Sequence, residues 1–125
     1  MIKDLLQNTL DTVLHPKGIH VHDQRKSGPE AHEYVVYSSA GDSSQEFADD
    51  IVLTKNASLT VRYYYRSSKL DNYTTRKKVR EIEDIIENAL IDAGFEIPPG
   101  RFDAGDVDDI GYCVTVFECE YWRGV

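Results

Sequence analysis

An α+β fold is what this sequence predicts: a mostly antiparallel sheet of about four strands with two helices packed on one of its faces. Three observations carry that expectation. Apolar residues recur at helical spacing in two separate stretches, near residues 2–14 and 76–93, and a run of β-branched and aromatic residues between 51 and 66 alternates sides as a strand does. Two amphipathic helices and one half-apolar sheet bury their apolar faces most simply as two layers. A chain of 125 residues builds one core, so positions 1–125 are expected to form a single domain.

The elements follow in order. Ile2, Leu5, Leu6, Leu10, Val13 and Leu14 share one face of a 3.6-residue period, and His15-Pro16-Lys17-Gly18 supplies the stop. Ile19-His20-Val21-His22 alternates as a short strand, Asp23 to Pro29 is polar and reads as a loop, and a second strand runs from about His32 to Ser39. Ala40 to Ser44 reads as a turn and Gln45 to Asp50 is weakly patterned. The long strand from Ile51 to Arg66 sets Ala57, Leu59, Val61, Tyr63 and Tyr65 on one face, expected to be buried, and Ser58, Thr60, Arg62, Tyr64 and Arg66 on the other. After a polar connection, Thr74 or Thr75 is placed to cap a helix running to Ala93, with Gly94 at its C′ position. Val79, Ile82, Ile86, Ala89, Leu90 and Ala93 mark its apolar face, of which Val79, Ile82, Ile86 and Leu90 are expected to pack on Leu59, Val61 and Tyr63. Ile97-Pro98-Pro99-Gly100 ends regular structure, Asp103 to Asp109 reads as an acidic loop, and a last strand runs from Ile110 to about Trp122.

Composition narrows the function. No apolar run approaches the roughly 20 residues that cross a bilayer, and the polar opening Met1-Ile2-Lys3-Asp4 lacks a signal-peptide core, so no membrane partner is expected. Cys113 and Cys119 lie six apart on one strand, about 20 Å, beyond disulfide reach, and read as reduced thiols. The net charge of −8 argues against general nucleic-acid binding. That charge is unevenly spread: residues 62–80 carry seven Lys or Arg and one Asp, net +6, which leaves −14 on the rest.

Constellations that would support chemistry are sparse. His20 and His22 point to one side of a strand and could bind a metal with His15 or His32, although exposed histidines on an edge strand explain them equally well. Asp103, Asp106, Asp108 and Asp109 are crowded enough to suggest calcium, but their spacing does not fit the loop template and a solvated acidic loop explains them. There is no Gly-x-Ser-x-Gly elbow and no phosphate loop; Glu118 and Glu120, on one strand face, read as a solvated pair. No enzymatic activity and no cofactor are expected.

The basic cluster says more. Arg76, Lys77, Lys78 and Arg80 occupy the first turns of the second helix, where the macrodipole disfavours each cation by about 0.3–1 kcal/mol, with Lys77–Glu81 and Arg80–Asp84 available as partial compensation. A dipole-opposed cluster near Arg62, Arg66 and Lys69 suggests a surface kept for a partner; a merely solvated helix end is the plainer alternative.

The layout resembles the small tail-terminator and tail-completion subunits of long-tailed bacteriophages and prophages. What matches is the Leu-rich opening helix, a hairpin, the strand Ser58-Leu59-Thr60-Val61-Arg62-Tyr63-Tyr64-Tyr65, the capped helix Arg76 to Ala93 and the closing strand Phe117-Glu118-Cys119-Glu120-Tyr121-Trp122. The resemblance implies a structural virion protein without cofactors. Its copies would form a homo-oligomeric ring, commonly a hexamer, that caps the tail tube, ends its polymerisation and joins tail to head, with the tail-tube protein and a head-completion or neck protein as partners. Its place would be the virion tail or neck, reached from the host cytoplasm during assembly, with DNA passing through the ring without sequence-specific contact.

A head-to-tail ring needs two complementary patches on each subunit. The expected pair sets Arg62, Arg66, Arg76, Lys77, Lys78 and Arg80, with Tyr64 supplying apolar area, against Asp103, Asp106, Asp108 and Asp109 of the next copy. Two other classes fit the same composition. One is an acidic binding or immunity-type module that occupies a basic partner protein; the other is a small metal-dependent hydrolase using His20, His22 and the acidic loop.

Overall fold

The computed structural model describes residues 2–23, 33–39, 54–97, 100–106 and 111–124. Helix α1 spans Ile2–Leu14 and ends in a 3₁₀ turn, His15–Lys17, closed by Gly18 in the left-handed region (φ 76°). Strands β1 (His20–Asp23), β2 (Glu33–Ser39) and β3 (Thr54–Arg66) follow. A second 3₁₀ turn, Ser67–Leu70, leads to helix α2 (Tyr73–Asp92), and β4 (Arg101–Asp106) and β5 (Tyr112–Gly124) complete the chain. The expected turn at 40–44, the stretch 45–50, His32, Ile51 and Ile110 lie outside the described residues.

The five strands form one sheet in the order β1-β2-β3-β5-β4, antiparallel throughout except for β1 beside β2. The α+β class holds, with five strands rather than about four. The additional strand is β4, which takes in Arg101, Phe102, Asp103 and Asp106, residues read from the sequence as the break after Pro99 and part of an acidic loop. Its signal is faint for a physical reason: one large apolar side chain stands among charges, because the strand's inward positions form ion pairs instead of joining the apolar core. A bulge between Asp103 and Gly105 further breaks its alternation.

Both helices cover one face. Leu6, Leu10 and Leu14 of α1 and Val79, Ile82, Ile86 and Leu90 of α2 are buried in one cluster with Val35, Tyr37, Leu59, Val61, Tyr63, Tyr65, Cys113, Phe117 and Cys119 from alternate positions of the central strands. The packing expected for α2 on Leu59, Val61 and Tyr63 is therefore present. Central β5 carries apolar residues on both faces, with Val114 and Val116 directed away from the helices and buried there.

The cap of α2 differs from expectation. Asn72, not Thr74 or Thr75, is the N-cap, and its side-chain oxygen accepts from the Thr74 N–H at 2.7 Å. Thr75 instead donates its hydroxyl to the Lys69 carbonyl at 2.5 Å and so ties the helix to the preceding turn. At the other end Gly94 adopts φ 102°, and an added Cβ would come 3.2 Å from the Tyr121 ring, which restricts this C′ position twice over.

Several core groups hold their protons tightly. Burial, with Glu118 adding to it, pushes the Cys119 thiol up to about 12, and burial followed by the hydrogen bond to Glu33 holds the Tyr63 phenol far above its ordinary value. Burial likewise raises Tyr37 and Tyr65. The unfolded chain ionises such groups near their ordinary values, about 8.5 for a thiol and 10 for a phenol. In alkali the folded state thus binds more protons than the unfolded one, and stability falls as pH rises. The Cys119 contribution is complete below about pH 8.5 and declines by about 1.4 kcal/mol per pH unit on the way to 12. Urea midpoints should drop clearly between pH 8 and pH 10.5, and the Cys119→Ala variant should show a shallower drop. Equal midpoints at the two pH values would contradict the account.

Candidate interaction surface

Ser58, Thr60, Arg62, Tyr64 and Arg66 of β3 point away from the helices and, with their neighbours, build the outer face of the sheet. Register aligns two rows across it. One runs His22, Val36, Arg62, Val116, Phe102 from β1 to β4; the next runs His20, Tyr34, Tyr64, Val114. Tyr34 stacks on Tyr64 with ring centroids 4.9 Å apart and meets Tyr112 edge-on at 5.7 Å, while the Arg66 guanidinium lies 4.6 Å above the Tyr112 ring. Val36, Val114, Val116, Thr60 and Tyr112 are buried on this face, whereas Phe102 is 45% exposed.

Sequence reasoning expected β3 to bury a single face. Its second face is instead half-buried at Arg62, Tyr64 and Arg66, because strands on both sides crowd it. Arg62 sits between Val36 and Val116 and makes no ion pair or side-chain hydrogen bond with the described residues. A guanidinium held over apolar neighbours without an anion keeps its donors available to a partner.

The rest of the expected basic surface divides. The turn Ser67–Leu70 carries the chain from the outer-face residue Arg66 into the helix layer, where Arg76, Lys77 and Lys78 are exposed on the first turns of α2. Arg76 donates to the Leu70 carbonyl at 3.0 Å and lies 6.0 Å from the Tyr73 ring. No Lys77–Glu81 ion pair forms among the described residues.

Arg80 is committed within its own chain. It pairs with Glu83 at 2.9 Å and with Asp103 at 3.5 Å, not with Asp84, which instead binds Arg101 at 2.8 Å. The hydrogen bond to Glu83 holds the Arg80 guanidinium above its ordinary range. Two residues assigned from sequence to opposite sides of an intersubunit contact, Arg80 and Asp103, thus meet inside one subunit. Asp106 belongs to β4, and Asp108 and Asp109 lie outside the described residues.

Sequence reading missed Glu83. It is 1% exposed, and its carboxylate accepts from Arg80 at 3.0 and 2.9 Å and from the Thr115 hydroxyl at 2.5 Å, with Arg101 Nη2 at 3.9 Å. Thr115 Oγ1 also lies 3.0 Å from Asp103, and its one proton serves one carboxylate at a time. Arg101 further binds Glu87 at 3.0 Å. The pattern that could have found it was visible: Glu83 stands four residues after Val79 and three before Ile86, inside the apolar stripe, where a carboxylate must bring partners.

His20 and His22 share the outer face, but no group of three His, Cys, Asp or Glu among the described residues is placed to hold a metal ion. Cys113 and Cys119 are both buried thiols, and neither is part of a disulfide. No helix among the described residues is long and apolar enough to cross a membrane. No protein-family model matches the chain, and no curated protein matches it.

Proposed function

We propose that this chain is a structural assembly subunit whose copies associate head to tail into a ring, a hexamer by the resemblance. The ring would cap the tail tube of a long-tailed phage or prophage, end its polymerisation and join tail to head. The observation that carries the assembly part is the outer sheet face, where the Tyr34–Tyr64 stack, Tyr112 and a half-buried Arg62 with no ion pair among the described residues lie together. Tyrosine and arginine are enriched among the residues that dominate protein interfaces, tyrosine as a rigid amphipathic ring and arginine as a planar fork of donors on an apolar stem. The phage context rests on the resemblance of the layout. The net charge of −8 suits a ring through which DNA passes, since an acidic lumen repels phosphates.

Light scattering across a concentration series tests this directly. The wild-type chain should form a discrete ring-sized oligomer, and Tyr64→Ala or Arg62→Glu should raise its dissociation constant by about tenfold or more. Lys77→Glu with Lys78→Glu should mainly slow assembly, because exposed charges steer encounter more than they hold the product. A wild-type monomer at every concentration, including in the presence of tail-tube protein, would end the ring reading in favour of an acidic module for a basic partner. Wild-type assembly that Tyr64→Ala and Arg62→Glu leave untouched would move the interface off this face.

A further inference from the structure

On the helix side of the molecule a cleft of about 330 Å³ opens between the turn after α1, the start of β1 and the first turns of α2. Its floor is apolar, made by Ile19, Val79, Ile82 and Ile85. Around the mouth stand Lys17, Lys69 and Lys78, with Glu33 and Glu81. Two of these charges are spent on each other: Lys69 Nζ lies 3.6 Å from Glu33, which also accepts from the Tyr63 phenol. Lys17 and Lys78 make no ion pair or side-chain hydrogen bond with the described residues, and Glu81 opposes only one of them in charge.

We propose that this cleft binds a small amphipathic carboxylate, its apolar body on the four-residue floor and its anionic end between Lys17 and Lys78. The volume lies at the lower end of small-molecule pockets, which suits a ligand of about ten non-hydrogen atoms. Two cations of separate elements facing one apolar floor provide charge complementarity for one anion and little for a neutral molecule of the same shape. The site shares Lys78 with the basic surface of the assembly reading and nothing with the outer sheet face, so Lys17→Met, which lies outside that surface, separates the two.

The test uses 4-phenylbutyrate and hexanoate against their amides, followed by amide chemical shifts of the full chain. Saturable shifts confined to the turn after α1, Ile19 and the first turns of α2 are expected with the carboxylates, and binding about tenfold or more weaker with the amides. Lys17→Met and Lys78→Met should each weaken carboxylate binding several-fold without altering the circular dichroism melt. Lys3→Met, which removes a cation paired to Asp23 outside the cleft, should leave binding unchanged. Absence of saturation at tens of millimolar, or equal binding of acid and amide, would overturn the assignment. So would much tighter binding of an N-acetylated dipeptide than of either acid, because the cleft would then be a peptide-terminus site. Measuring binding and oligomer mass on the same variants keeps failure here distinct from failure of the ring.

Discussion

Ile86→Ala is expected to destabilise the fold by about 2–5 kcal/mol, close to the whole stability of many small domains. Ile86 is fully buried, one turn from Ile82 and one from Leu90, at the centre of the contact between α2 and the sheet. Truncation removes three carbons from that contact and leaves a void whose walls belong to a rigid strand layer and cannot close fully. Ile91 provides the control on the same helix. It is 51% exposed, and Ile91→Ala should stay within about 0.5 kcal/mol of wild type. Chemical denaturation of both variants checks the pair; a midpoint for Ile86→Ala equal to that of Ile91→Ala would mean that α2 does not pack as described.

What the sequence made legible was what hydrophobic period encodes. The stripes of α1 and α2, the alternation along β3 and the apolar face opposite the helices all follow from burial, and burial repeats every 3.6 or every two residues. Where partners are polar, period is silent. β4 carries Arg101 and Asp103 toward α2, so it reads as an acidic stretch, yet each of those residues is bound to a charge on the helix. Asn72 was passed over as a cap in favour of two adjacent threonines, because Asn, Thr and Thr compete within four positions and only backbone geometry selects among them.

The candidate surface was legible in kind and divided in detail. Arg62, Tyr64 and Arg66 were expected on one face and share it, since alternation fixes that. Arg80 and Asp103 were expected to face another copy and instead face each other, because nothing in a linear sequence reports that β4 returns alongside β5 beneath α2. The dipole argument for a partner survives for Arg76, Lys77 and Lys78, which stand exposed on the opening turns of the helix. For Arg80 the offset comes from Glu83 and Asp103 of the same chain.

Removing the Glu83 carboxylate is the second large effect expected, about 3–5 kcal/mol for Glu83→Ala, since one partner is deleted from a buried charged network while the others stay. Arg80 and Arg101 are 42% and 27% exposed in their side chains, so both guanidiniums can turn toward water and recover part of the loss. Thr115 is buried and cannot. Its hydroxyl would turn to Asp103, and the space left by the carboxylate would be walled by Arg80 and Arg101, which lose their shared anion. The paired change Glu83→Met with Thr115→Val fills that space and removes the hydroxyl that faced it, so with Arg80 and Arg101 turned to water it should be more stable than Glu83→Ala by about 1–2 kcal/mol. Because Arg101 and Asp103 open β4, the single variant should also speed hydrogen exchange across Arg101–Asp106 more than across β3, even at denaturant concentrations where the fold persists. A paired variant no more stable than Glu83→Ala would show that filled volume does not offset the lost carboxylate, and β4 amides that exchange as in wild type would show that the edge strand is held by its ladder to β5.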